Sequence, residues 1–212
     1  MRTARQAIAY IDDFNFYYGA VRGEPQFKWL NLQAMCEAML HPHDLIALRY
    51  YTARVTDRPD DAGQSQRQDV YLRALETLPK VEVVYGQFKE RRRRLPLARS
   101  RRGGRRFAEV IVTEEKGSDV NLATDLLWDA LTGAMGVALV VSNDLDLQRP
   151  VERAKSHGIN VVTVNPHRHH GQRPSLRGTE SRNLRLWHLR LQLPEVVVDV
   201  DGQEIRRPKE WA

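Results

Sequence analysis

The sequence predicts an α/β fold in which a mostly parallel sheet carries helices on both faces. Three observations lead there. Short apolar runs alternate with helical patterns along the first three quarters of the chain, which is how βαβ units read. Two of those runs, Gly136–Val141 and Ile159–Val164, are apolar at consecutive positions and not at alternate ones, as in a strand buried on both faces. Acidic residues follow several strands directly, and in an open parallel sheet ligands sit beyond the carboxyl ends of the strands.

Taken in order, Ala7–Ile11 is a short buried strand ending at Asp12. Asn31 caps a helix running to about Leu40, with Leu32, Met35, Cys36 and Met39 on one face. Leu45–Arg54 reads as a second strand, Gln64–Leu78 as a helix stopped before Pro79, and Val81–Phe88 as a third strand. Lys89–Arg106 reads as a loop punctuated by Pro96, Gly103 and Gly104, and Phe107–Thr113 returns as a strand. Asp119–Leu131 is a helix with a broad apolar face; Leu145–Ser156 is another, with Gly158 as its stop. Beyond Asn165–Pro166 the composition shifts. His167–Gly178 reads as loop, Leu184–Leu193 as a short helix, and residues 195–212 as a polar tail. The expected organisation is one domain over 1–165, with a basic arm at 89–106, and an extension over 166–212 that packs on it.

At 212 residues with 42% apolar content, the chain suffices for one well-buried domain. It has no run of about 18 apolar residues, which argues against a membrane span, and no secretory leader pattern. The single cysteine, Cys36, lies among apolar residues at helical spacing and reads as core in a reducing compartment. The expected location is cytoplasmic. The formal charge of +6 is unevenly placed. Lys89–Arg106 holds ten Lys or Arg and one acid, Glu90, so it carries +9 and the remainder is −3. Such a segment is the electrostatic footprint of a polyanion partner, or else a solvated loop that only adds solubility.

Three acidic groups fall where chemistry is expected: Asp12 and Asp13, with Asn15 beyond; Glu114, Glu115 and Asp119; and Asn143, Asp144 and Asp146. Asp119 or Asp144 alone would read as a helix N-cap. Together, carboxylates converging on one sheet edge repel one another unless a cation intervenes, and oxygen ligands with few histidines favour Mg2+ or Mn2+ over zinc. His167, His169 and His170 lack the site-like spacing of a zinc centre and read as exposed loop. Tyr17 and Tyr18 fit either base stacking or a half-buried core position.

Ile11-Asp12-Asp13-Phe14-Asn15, Glu115-Lys116-Gly117-Ser118-Asp119-Val120 and Val141-Ser142-Asn143-Asp144-Leu145-Asp146 resemble, in order, three motifs of NYN domains, relatives of PIN nucleases. The resemblance covers about residues 7–165. It implies a PIN-like three-layer α/β/α sandwich and metal-dependent endoribonuclease activity. By position, Asp12, Asp119 and Asp144 are then ligands of Mg2+ or Mn2+, with Asn15 and Asp146 close by. Asp125 also matches an acidic family position but lies six residues past Asp119, off its helical face. Lys116 fits a phosphate contact or a structural ion pair. The expected partner is RNA, gripped by Arg91, Arg92, Arg93, Arg94, Arg101 and Arg102; DNA stays open, since phosphate contacts carry no sugar identity. Two rival readings fit less well. A non-catalytic RNA-binding regulator would gain nothing from carboxylates facing phosphates. A phosphatase or nucleotide hydrolase would need a P-loop or a D-x-D-x-T/V segment, and the sequence has neither.

Overall fold

A computed structural model describes residues 3–57, 61–98, 106–167 and 175–211. In chain order the elements are β1 (Gln6–Asp12), α1 (Asp13–Phe16), α2 (Leu32–Leu40), β2 (Asp44–Thr52), α3 (Gln64–Glu76), β3 (Val81–Tyr85), β4 (Gln87–Pro96) and β5 (Phe107–Lys116). They continue with α4 (Ser118–Thr132), β6 (Val137–Val141), α5 (Gln148–Ser156), β7 (Asn160–Asn165), β8 (Glu180–Asn183), α6 (Leu186–Leu189), β9 (Val196–Val198) and β10 (Glu204–Arg206). β1, β2, β3, β6, β7 and β8 form one sheet in the order β3-β2-β1-β6-β7-β8, every pair parallel. The expected α/β architecture is present.

Period-two alternation builds two cores, one on each face of this sheet. Ala7, Ala9 and Ile11 of β1 and Val137, Leu139 and Val141 of β6 face one core, packed by α2 and α3. Ile8 and Tyr10, with Ala138 and Val140, face the other, packed by α4 and α5. Both central strands are therefore buried, from Ala7 to Asp12 and from Val137 to Val141, and that is why Ala7–Ile11 and Val137–Val141 carry apolar residues without a break. Cys36 lies buried in the first core.

Several expected boundaries move. The strand at 81–88 ends at Tyr85, and beyond Gly86 the chain starts β4. Lys89–Pro96 is not loop: it belongs to β4, which pairs antiparallel with β5 from Gln87↔Lys116 to Pro96↔Phe107. An arginine run gives no apolar period to read, but β5 offers it a β-branched partner in Val110, Ile111 and Val112. The rest of the expected arm, residues 99–105, lies outside the described residues, as do His169 and His170. The helix expected at 184–193 contracts to Leu186–Leu189. Beyond residue 165 the chain adds β8 to the sheet edge, the β9–β10 hairpin, and Trp211 to the first core. No helix among the described residues is long and apolar enough to cross a membrane.

Candidate active site

The strand order reverses between β1 and β6: β2 and β3 lie on one side of that pair, β7 and β8 on the other. This is the switch point at which a parallel sheet opens a crevice at its carboxyl edge. Asp12 ends β1 there, and Asp144 follows β6.

Asp12 is buried, and both its oxygens are held. Asn15 N donates to Oδ1 (3.1 Å), and Ser142 Oγ donates to Oδ2 (2.9 Å). Ser142 Oγ also accepts from Asp144 N (3.1 Å), so one hydroxyl couples the ends of β1 and β6. Asn15 makes a second clip, its Oδ1 accepting from Asn143 N (2.9 Å). Asn143 is held in turn by Ser175, whose N donates to its Oδ1 (2.6 Å). Asp144 Oδ1 accepts from Asp146 N (2.9 Å), the N-cap geometry expected of an aspartate ahead of a short helical turn. The capping and the functional readings of Asp144 are thus compatible in one residue.

Asp119 reaches the same edge by another route. β5 runs into Gly117 at φ 103°, a left-handed angle that suits glycine, and α4 starts at the next residue. Glu115 Oε1 accepts from Ser118 N (3.0 Å) and Ser118 Oγ (2.8 Å), fixing the turn. Gly86 lies against it so closely that a Cβ there would stand 2.3 Å from Glu115 Oε1 and 3.0 Å from Lys116 O.

The electrostatics tie these groups together. Burial pushes the Asp12 carboxyl up to about 6, with Asp13 and Asp144 adding repulsion against the bonds from Asn15 and Ser142. Burial also lifts Asp119 to about 6, followed by the charges of Asp12, Asp144, Glu115 and Asp146. Among the described residues no three His, Cys, Asp or Glu side chains are already drawn close enough to enclose an ion. What exists is a crevice of hard oxygen donors under mutual repulsion, chemistry that suits Mg2+ or Mn2+ and that such a cation would relieve.

Other expected residues lie elsewhere. Asp13 points away into the first core, accepting hydrogen bonds from Tyr50 and Thr52. Asp125 accepts from Tyr51 Oη (3.0 Å). Lys116 Nζ pairs with Glu114 (3.1 Å), the structural alternative for that residue. His167 packs against Gly19, and burial holds its imidazole below the usual range. Arg91–Arg94 are all exposed on β4; Arg93 reaches Glu114 (3.6 Å), and the Arg94 guanidinium lies 5.1 Å from the Phe107 ring centre. Arg101 and Arg102 fall outside the described residues. Sequence reasoning assigns Ser142 no role, although it stands inside the third motif. Its hydroxyl is the joint between two carboxylate-bearing strands.

Beside the crevice, on the α2–α3 face, lies a cavity of about 340 Å3 whose lining includes Asp13, Phe14 and Glu115.

Comparison with known proteins agrees with this geometry at the level of family. A Pseudomonas putida protein named 6-hydroxy-3-succinoylpyridine 3-monooxygenase HspA is 29% identical over 172 residues. That alignment takes in 70% of this chain and only 55% of the relative, so the chain spans little more than half of that protein's length. A solved structure of a protein of unknown function from Vibrio parahaemolyticus is 18% identical, covers 76% of this chain and 82% of its own, and superposes with a TM-score of 0.45. The NYN domain model matches residues 7–180, most of the chain and all three acidic motifs, and the protein therefore belongs to the NYN domain family, a family of PIN-like nuclease domains.

Proposed function

We propose that this protein is a cytoplasmic endoribonuclease that depends on Mg2+ or Mn2+ and hydrolyses RNA phosphodiesters at the β1–β6 crevice. The observation that carries the reading is the meeting of acids at the switch point, where Asp119 feels the charges of Asp12, Asp144 and Asp146, and Asp12 feels that of Asp144. Asp12, Asp119 and Asp144 would hold the ion. When bound, it would neutralise charge on the scissile phosphate and make a water molecule more acidic. The chain's own part is positioning. Asn15 and Ser142 fix the Asp12 carboxylate while leaving lone pairs on both oxygens, and the Asp144–Asp146 turn sets the opposite wall. Attack of water on phosphorus breaks the bond to O3′, leaving a 5′-phosphate and a 3′-hydroxyl. The β4–β5 ribbon, whose second strand runs directly into the Asp119 turn, would bring Arg91–Arg94 to flanking phosphates.

The test uses end-labelled RNA and DNA of one sequence, incubated with Mn2+ or with EDTA. Cleavage of RNA only with the metal, leaving 5′-phosphate ends and absent from Asp144→Asn, is expected. Cleavage that persists in EDTA, or full activity of Asp144→Asn, overturns the reading. The Pseudomonas relative suggests a second reading, oxygenation of a substituted pyridine, favoured by one observation: the cavity beside the carboxylates is lined with aromatic rings. It predicts that, given O2 and a two-electron donor, one oxygen atom enters such a ring while the other leaves as water, and that RNA is not cleaved.

A further inference from the structure

The cavity beside the crevice is walled by rings. At the crevice end Phe14 meets Phe88 of β4 edge-to-face, centres 5.4 Å apart. At the far end Tyr71 and Trp211 meet in the same way at 6.1 Å. Tyr17 and Tyr18 form another edge-to-face pair at 5.5 Å, and Tyr18 is 46% exposed, so it stands where the cavity reaches solvent. Cations already lie over three of these rings, Lys28 over Tyr17 and Trp211 and Arg22 over Tyr18 (5.1 Å), so a flat guest would take the ring surfaces that line the cavity.

The polar groups are few. The Lys28 ammonium lies 5.8 Å from the Tyr17 ring centre and 5.9 Å from that of Trp211, with no carboxylate in ion-pair range among the described residues. Arg67 is already engaged by Asp61 and Glu210. The Gln64 amide, a donor and an acceptor in one group, also lines the cavity. The charged lining residues are Asp13, Asp61 and Glu115 against Lys28 and Arg67, so an anionic ring would meet more negative than positive charge. A neutral flat ring with hydrogen-bonding edges avoids that penalty. About 340 Å3 is at the low end for ligand pockets and ample for a nucleobase.

Position says which ring. Glu115 lines the cavity and also acts on Asp119, and Phe14 is two residues from Asp12. A strand whose phosphate lies in the crevice would therefore have an adjacent base within reach of the cavity. Resting on the ribonuclease reading, we propose that this cavity receives an unstacked nucleobase next to the scissile phosphate. Tyr17, Tyr18 and Trp211 supply the stacking surfaces, and Lys28 and Gln64 meet the base edge. The pocket would give the nuclease a base-dependent grip that the arginine ribbon, which meets only phosphates, cannot give.

The experiment is done in EDTA, so that binding is read apart from cleavage. Each of the four uncharged nucleosides, ribose and benzoate is titrated into the full chain, followed by calorimetry and by tryptophan fluorescence. Nucleosides should bind and ribose should not. Tyr18→Ala and Lys28→Met, both at partly exposed positions that spare the core, should each weaken nucleoside binding roughly tenfold with unchanged melting temperature. Equal binding of ribose, preference for benzoate, or absence of nucleoside binding at millimolar concentration would each overturn the proposal. So would unaltered affinity in both variants. Failure here is separable from failure of the ribonuclease reading. A protein that binds nucleosides but never cuts RNA keeps the pocket, and one that cuts RNA but ignores nucleosides loses it.

Discussion

Asp12 carries a conflict that only a buried carboxylate can have. Two hydrogen bonds favour its charged form while burial and two neighbouring acids oppose it, and the opposition wins, leaving its carboxyl at about 6. Ionised at neutral pH, it costs the fold on the order of 3 kcal/mol. Asp12→Asn keeps the shape and removes the charge. It should therefore abolish metal-dependent cleavage yet raise the melting temperature at pH 7.5 by roughly 4 °C or more; a variant that melts lower with activity intact contradicts both the burial and the role. Ser142 is the finer probe. Its donated hydrogen bond holds the Asp12 value down, so in Ser142→Ala that value should rise, and the acidic limb of the pH–rate profile should move to higher pH. If kcat falls without any movement of that limb, Ser142 only shapes the loop. Asp12, Asp119 and Asp144 are legible in the sequence because each stands within a recognisable motif at a strand or helix boundary. Ser142 is not: a serine beside two aspartates has no signature until the fold places β1 against β6.

The β4–β5 ribbon is the element that departs furthest from its sequence pattern. Strands are read from alternating apolar residues, and Arg91–Arg94 supply none; the sign of the strand lies in its partner, Phe107–Lys116, a pairing that composition does not announce. β8 escapes for a related reason, since Glu180–Asn183 is a short polar edge strand, the kind that resists edge-to-edge association. A two-stranded ribbon is marginal by itself. Amides of β4 should thus exchange more slowly than those of open loops but faster than those of β1 and β6, measurable by hydrogen exchange; loop-like rates throughout 91–95 would contradict the pairing. Replacing Arg91–Arg94 by Ala should weaken RNA binding and flatten the salt dependence by roughly 0.7 in log–log slope for each phosphate that is no longer neutralised. Single-turnover cleavage at saturating RNA should change little, because the carboxylates are untouched; affinity equal to wild type across a salt titration would remove the ribbon from RNA binding. Its root is less tolerant. Gly86→Ala drives a methyl group into Glu115 and the Lys116 carbonyl, and should cost about 1–3 kcal/mol of stability while disturbing the Asp119 turn.

The whole molecule joins these scales through linkage between folding, protons and the cation. Asp12 and Asp119 both stand near 6 in the folded chain against 3.8 as ordinary aspartates, so folding takes up protons between those values. Their contribution to stability is complete below 3.8 and is lost as pH rises through about 6, and the metal-free protein should melt progressively lower across that window. A divalent cation reverses the sign. It favours the ionised carboxylates, so its affinity should climb with pH through about 6 and then level, with protons released on binding below that point. At a concentration about a hundredfold above its dissociation constant the ion adds roughly 2.7 kcal/mol to the folded state. For a chain of this size that is a rise of roughly 5–10 °C in melting temperature. With Mn2+ present, the fall in melting temperature between about pH 4 and pH 7 should accordingly shrink or turn into a rise. Asp12→Asn should lose the Mn2+ shift together with its own share of the proton uptake, leaving the share of Asp119, whose burial is its own. Melting curves at several pH values, with Mn2+ and with EDTA, read this directly. A Mn2+ shift of equal size at every pH, or one retained in Asp12→Asn, would place the ion away from the β1–β6 crevice.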